Sequence, residues 1–253
     1  MRENGICAAP AGVTKANLDF GKTPFVAPNG NKIFGTVDAS VEFLEALGAD
    51  KTLKCTLSAL QRGPFRIYRD NVIAGEGDCT DYIFFVVSGV VRSFKTFENG
   101  ARSIVAFYLP GDLFGWSDLT QSLSIEAATD TMLLFVKRSA FLSIASREIR
   151  VANFLLAVTT NKLRRAQEHG LLMSRIAKCR LATFLTDLWV RLGKPKYLDV
   201  PMSYQDIADH LGLTMETVSR TVTDLERSGL IKRVSVRKLI IQNRLASLGH
   251  MMN

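Results

Sequence analysis

Apolar residues along this chain change texture twice. From Phe65 to Val136 they come in short runs rich in β-branched and aromatic side chains, each bounded by turn residues. Such runs predict strands, over 66–74, 82–87, 90–97, 103–108, 126–131 and 132–136. Glu98-Asn99-Gly100 predicts a hairpin turn, because Asn and Gly accept the positive φ that such turns need. Gly75-Glu76-Gly77-Asp78, Ser88-Gly89 and Leu109-Pro110-Gly111-Asp112 punctuate the rest. Many short strands at near-regular spacing predict a small antiparallel sandwich or barrel.

The period then changes from strand-like to helical. Residues 139–175 contain no proline and predict one long helix. Ala145, Ile149, Ala152, Leu156, Thr159, Leu163, Ala166, Gly170 and Met173 recur at alternating spacings of four and three, which is a heptad seam. Val151, Phe154, Leu155 and Val158 add a second apolar face over the first half. A helix buried within its own chain is the plainer reading. Two faces are better explained by one packing on the strands while the seam meets a second copy, with Ala152, Ala166 and Gly170 allowing close approach. A further helix over 176–192 presents Leu181, Phe184, Leu185, Leu188 and Trp189 to a core and stops at Gly193-Lys194-Pro195. Ahead of the strands, 40–60 reads as short helices around Gly48, and 1–37 as a loose tail without sustained periodicity.

The last texture is the most specific. Ser203 is placed to cap a short helix carrying Ile207, Ala208 and Leu211, and Gly212 breaks it. Thr214 caps a second helix that runs to about Arg227 and ends at Gly229. Two helices joined by a short glycine-containing turn make a helix-turn-helix. Two basic strands after it, 231–234 and 238–241, predict a wing. Val218, Val222 and Leu225 form the second helix's buried stripe, leaving Glu216, Ser219, Arg220 and Thr223 on the opposite face. Arg donates two hydrogen bonds to guanine and Glu accepts from cytosine, so Glu216 and Arg220 together suit a G·C pair read from the major groove. A solvated i,i+4 ion pair is the plainer alternative, worth only about 0.2–0.5 kcal/mol. Ser203, Thr214, Thr217, Thr223, Arg227, Lys232, Arg233, Arg237 and Lys238 flank that face and are candidate phosphate contacts.

Charge sharpens this division. The 253 residues carry a net charge of +8. Residues 1–149 hold 15 Lys and Arg against 16 Asp and Glu, whereas 150–253 hold 17 against 8. A near-neutral front and a strongly basic back point to a polyanionic partner for the back half. No run of 18 apolar residues predicts a membrane span, and the N-terminus lacks the apolar stretch of a secretory signal. A cytoplasmic protein is expected. Cys7, Cys55, Cys79 and Cys179 lie too far apart for a disulfide framework or a C-x-x-C site, and His169, His210 and His250 show no ligand spacing. No phosphate loop, nucleophile elbow or paired-carboxylate site is visible, so neither an enzyme nor a bound cofactor is expected. Cys179 sits between Lys178 and Arg180, cations that favour the thiolate, and is a candidate for oxidation that weakens binding.

Gly75-Glu-Gly-Asp78, Tyr82-Ile-Phe-Phe-Val-Val-Ser-Gly-Val90, Leu109-Pro-Gly-Asp-Leu-Phe-Gly115 and Asp206-Ile-Ala-Asp-His-Leu-Gly-Leu-Thr-Met-Glu-Thr-Val-Ser-Arg220 carry a resemblance. Over roughly residues 40–250 the chain resembles the Crp/Fnr superfamily of bacterial transcription regulators. Glu216, Ser219 and Arg220 match the Glu-x-x-Ser-Arg of the Fnr and FixK-like branches, and the 105–115 string looks like FixK proteins. The resemblance implies an α+β fold: a cyclic-nucleotide-binding-like β-roll (38–138), a dimerisation helix (139–175) and a C-terminal winged helix-turn-helix (176–253). It also implies a homodimeric activator reading a palindromic TTGA-type site in double-stranded DNA and contacting RNA polymerase. Members that bind cyclic nucleotides hold the phosphate with an Arg-Ser or Arg-Thr pair, yet no Lys or Arg occurs between Arg102 and Lys137. The Fnr-type cysteine cluster is also missing, since the tail holds Cys7 alone. An effector-dependent sensor, with haem held by Cys79 as one version, is the alternative, and a nucleotide-binding regulatory module is another.

Overall fold

The computed structural model describes residues 60–78, 81–115, 122–242 and 244–245, together with the backbone of 25–26 and 32–33. The expected helices over 40–60, and Cys7, Cys55 and Cys79, lie outside the described residues. The described backbone of 25–26 and 32–33 pairs antiparallel, as β1 (Phe25–Val26) and β2 (Lys32–Ile33). The chain divides into two compact units. The front unit holds residues up to Lys95 and Val105–Thr160, and the back unit holds Thr96–Ile104 and 161 onward.

Two four-stranded sheets make up the strands of the front unit, except that Thr96 at the end of one strand and Arg102–Ile104 at the start of the next belong to the back unit. In the first, β3 (Gln61–Ile67), β10 (Thr131–Lys137), β5 (Tyr82–Ser88) and β8 (Leu113–Phe114) lie in that order. In the second the order is β4 (Val72–Ala74), β9 (Ser124–Ala127), β6 (Val91–Thr96) and β7 (Arg102–Tyr108). Ile67, Phe84, Val86, Phe114 and Leu133 of the first sheet meet Ile73, Val91, Tyr108, Ile125 and Ala127 of the second in one core. Strand side chains alternate between faces, so Ile83, Phe85 and Val87 of β5 point the other way. There they pack with Phe141, Val151, Phe154, Leu155 and Val158 from the helices that follow. Both faces of β5 are covered, which is why it reads as a continuous apolar run rather than an alternating one. Gly89 must stay small: it sits at φ 80°, and a Cβ there would lie 2.3 Å from the carbonyl oxygen of Asp130.

Several element boundaries differ from the sequence expectation. The strand expected over 66–74 is two strands around a turn at 68–71, where Asp70 takes φ 63°. The two strands expected over 126–131 and 132–136 are present with shifted bounds, as β9 (Ser124–Ala127) and β10 (Thr131–Lys137) around a turn at 128–130. The helix expected over 139–175 is interrupted. It forms α1 (Arg138–Ala145) and α2 (Ile149–Leu172), because the N–H groups of Ser146, Arg147 and Glu148 turn back onto Leu142 and Ile144. The seam therefore runs within α2 from Ile149 to Gly170, and Ala145 belongs to the preceding helix.

In the back unit, α3 (Ala177–Arg191) packs Leu181, Leu185 and Leu188 inward. β11 (Leu198–Asp199), which the sequence pattern did not reveal, joins a three-stranded sheet beside β13 (Lys238–Ile241), with β12 (Ile231–Arg233) on the far side. Two helices lie between these strands in sequence, α4 (Tyr204–Leu211) and α5 (Met215–Arg227).

Candidate nucleic-acid interface

The entry into α4 is fixed by a reciprocal cap. Asp206 N–H donates to Ser203 Oγ at 3.0 Å, and the Asp206 carboxylate accepts from the Ser203 hydroxyl at 2.8 Å and from its backbone N–H. Gly212 ends α4 in the left-handed conformation, φ 59° and ψ 44°. Arg180 of α3 closes the turn: its Nη1 donates to the carbonyls of Leu211 and Gly212, its Nε to Arg175 and its Nη2 to Met173. Helix ends leave carbonyls without intrahelical partners, and one guanidinium satisfies several of them here. Sequence reasoning missed this role, since nothing in the spacing ties Arg180 to Leu211 and Gly212, 31 and 32 residues away.

Thr214 caps α5, its hydroxyl accepting from Thr217 N–H at 3.2 Å. Val218, Thr221, Val222 and Leu225 are buried, while Glu216, Ser219 and Arg220 are exposed on the opposite side. The Glu216 carboxyl is held below the usual range by its own backbone N–H, by the Thr214 hydroxyl and by the charge of Arg220. An ionised acceptor and a cationic donor thus stand side by side at the start of a helix whose other face is anchored. Met215, on the first turn, is 47% exposed.

The flanking candidates separate into engaged and available groups. Ser203 and Thr217 are partly buried and Thr214 is exposed, all three around the two helix N-termini. Lys232, Arg237 and Lys238 are exposed on the wing. Arg233 is bound to Glu226, its Nε 2.5 Å from the carboxylate, and the Glu226 carboxyl is held below the usual range by the backbone N–H and guanidinium of Arg233. Arg227 lies 3.9 Å from Asp224 and keeps most of its side chain in solvent. The Thr223 hydroxyl donates to the Ser219 carbonyl, so it braces the helix rather than the reading face.

On α2, Ile149, Leu156 and Leu163 are 71%, 66% and 59% exposed, an unpartnered apolar row at seven-residue intervals. Thr159, Ala166 and Gly170 are exposed and Ala152 partly so. Cys179 has a different environment from the one its neighbours suggest. Its side chain is 1% exposed within the α3 core, Lys178 donates to Ser228, and the Arg180 guanidinium is committed to backbone carbonyls. Burial of the thiol speaks against the access that an oxidisable cysteine needs.

Among the described residues, no group of three or more His, Cys, Asp or Glu is placed to hold a metal ion, and no helix is long and apolar enough to cross a membrane.

Comparison with known proteins agrees with this geometry. The Crp-like helix-turn-helix domain matches residues 179–248, and the cyclic nucleotide-binding domain matches residues 64–148. The nitrogen fixation regulation protein FixK of Azorhizobium caulinodans is 39% identical over 213 residues, covering 81% of this chain and 86% of that protein. FixK of Rhizobium meliloti is 41% identical over 172 residues, covering 67% of this chain and 78% of that protein. The solved structure of FixK2 from Bradyrhizobium japonicum aligns with a TM-score of 0.69 at 40% identity, over 73% of this chain and 95% of that one. A DNA-binding helix-turn-helix of Crp type behind a cyclic-nucleotide-binding-like domain, shared along most of the length of two FixK proteins, makes this chain a member of the Crp/Fnr superfamily of transcription regulators, in its FixK-like branch.

Proposed function

We propose that the chain is a homodimeric transcription activator that binds inverted repeats of TTGA type and contacts RNA polymerase, with genes of nitrogen fixation among its targets. The observation that carries this reading is the exposed row Glu216, Ser219 and Arg220 on a helix whose opposite face is buried. Arg220 donates to guanine and Glu216 accepts from cytosine within each half-site, and Ser219 lies between them. Thr214, Thr217, Lys232, Arg237 and Lys238 meet phosphates and set the register without reading sequence, whereas Ser203 keeps its hydroxyl on Asp206 as the cap of α4. The apolar row of α2 supplies the dimer contact. Two-fold symmetry then presents two reading helices about 34 Å apart, in successive major grooves. The role in nitrogen fixation follows the role for which the FixK relatives are named.

Fluorescence anisotropy at fixed salt tests the reading, with a labelled TTGA…TCAA duplex and a scrambled duplex as competitor. Selective binding by the protein without added effector is expected. Equal affinity for both duplexes overturns the assignment of the site, and selectivity that appears only after a small molecule is added favours the effector-dependent alternative.

A further inference from the structure

The back unit includes nine residues from the front half of the sequence, Thr96–Ile104, which form the tip of the β6–β7 hairpin. One side chain in this segment makes two ion pairs with α4. Arg102 Nη2 donates to Asp206 Oδ1 at 2.7 Å, and Arg102 Nε donates to Asp209 Oδ2 at 2.8 Å. A second anchor lies close by: the Ile104 carbonyl accepts from His210 Nδ1 at 2.9 Å. Asp206 and Asp209 are three residues apart and share one face of α4, and Gln205 Nε2 also donates to Asp209.

These two carboxylates stand where a DNA-binding helix should not be anionic. The first helix of a helix-turn-helix crosses the phosphate backbone. Its N-terminus attracts anions through its exposed N–H groups and the helix dipole. Asp206 already stands in the first turn, its carboxylate accepting from the Ser203 hydroxyl in the reciprocal cap. Left without a cation, Asp206 and Asp209 would repel a phosphate approaching the first turn of α4. Asp206 is 1% exposed, so solvent does not screen its charge.

We propose that Arg102 is a positioning residue of the DNA interface, neutralising Asp206 and Asp209 so that phosphate can approach the N-terminus of α4. The inference rests on the DNA-binding reading of α4 and α5 but not on the sequence they prefer. It predicts a loss shared by all duplexes, because it concerns the backbone rather than the bases.

The experiment measures full-length Arg102→Gln, Arg102→Lys and Arg102→Gln with Asp209→Asn on TTGA-type and scrambled duplexes, at low and high salt, each variant checked by thermal melting. Arg102→Gln is expected to weaken binding to both duplexes by about tenfold, comparable to losing one or two phosphate contacts, and less at high salt. Arg102→Lys should restore most of the affinity, and so should Asp209→Asn in the Arg102→Gln background. Removing a carboxylate repairs an electrostatic fault but not a structural one. Unchanged affinity in Arg102→Gln overturns the proposal, as does a loss that Asp209→Asn fails to restore. If Arg102→Gln does not fold, Asp209→Asn in the native background decides: tighter binding to both duplexes, by about twofold to threefold, supports the proposal and unchanged binding overturns it. Failure of the native protein to prefer the TTGA duplex counts against the proposed site alone, since the scrambled duplex still reports on Arg102.

Discussion

Both units are rich in arginine, and they spend it differently. In the front unit Arg92 is nearly buried and bridges Asp70 at 2.9 Å and Glu126 at 2.8 Å. Arg66 holds Asp130 at 2.7 Å, and with the Arg69 N–H it keeps that carboxyl below the usual range. In the helix-turn-helix and wing, Arg220, Lys232, Arg237 and Lys238 are exposed and make no ion pair within 4 Å among the described residues. A charge compensated within its own chain has little attraction left for a polyanion. An exposed one releases counterions when it meets a phosphate. Net charge per half follows the same division among the described residues: Arg66 and Arg92 are held by carboxylates of the front half, whereas the cations of the recognition helix and wing face solvent.

This contrast can be broken in graded steps. Replacing Ile149, Leu156 and Leu163 together by Gln should leave the charges of both units unchanged yet abolish the proposed dimer. Sedimentation should then show a monomer, and affinity for the palindrome should fall at least about 100-fold as two linked half-site contacts become one. A variant that stays dimeric would move the interface off this row.

Arg92→Ala should cost about 3 kcal/mol in urea unfolding, because it leaves Glu126 half-enclosed without its cation. DNA selectivity should be unaltered. A change in selectivity without a change in stability would place Arg92 among the exposed group.

An effect of similar size belongs to pH. Burial lowers the His210 pKa to about 4, with His169 and Arg191 adding to the shift, against a hydrogen bond to Ile104 that opposes it. Between about pH 4 and 6.5 the unfolded chain binds this proton and the folded chain does not, so stability rises with pH across that window. About 3 kcal/mol should be lost as pH falls from 7 to 4, from the 2.5 unit difference. A melting temperature for His210→Phe as acid-sensitive as that of the native protein would assign the loss elsewhere.

Smaller effects separate the available charges from one another. Arg220→Ala should cost about 1–3 kcal/mol of discrimination at the G·C pair of each half-site, with less effect on the scrambled duplex. Lys238→Ala should weaken both duplexes alike and reduce the slope of log affinity against log salt by about 0.9. A selective loss in Lys238→Ala would mean that the wing reads bases.

Local chemistry made much of the molecule legible in advance. The period of Val218, Val222 and Leu225 fixes which side of α5 is buried, and therefore which side carries Glu216, Ser219 and Arg220. Ser203, Gly212 and Thr214 mark helix ends because capping and positive φ are properties of single residues. The run from Tyr82 to Ser88 signalled a covered strand for the same reason. Exceptions arose where a local preference met a longer-range competitor. Proline-free 139–175 promised one helix, but the backbone turns back onto Leu142 and Ile144. β11 is only two residues long and exists because Leu198 pairs with Leu239, 41 positions on.

The sequence by itself determined the succession of strand-rich, helical and helix-turn-helix regions, the buried stripe of α5, the apolar row of α2 and the basic excess of the back half, since all of these depend on neighbours within a few residues. Tertiary structure alone decided what the charges and the thiol are for. Lys178 and Arg180 flank Cys179 along the chain, yet the fold turns the thiol inward and the guanidinium toward carbonyls. Arg102 lies 104 positions from Asp206 and reads in sequence as one more hairpin cation. The physical reason is the range of the interaction: periodicity and capping act along the chain, whereas desolvation and charge pairing depend on distances in space, which folding alone sets.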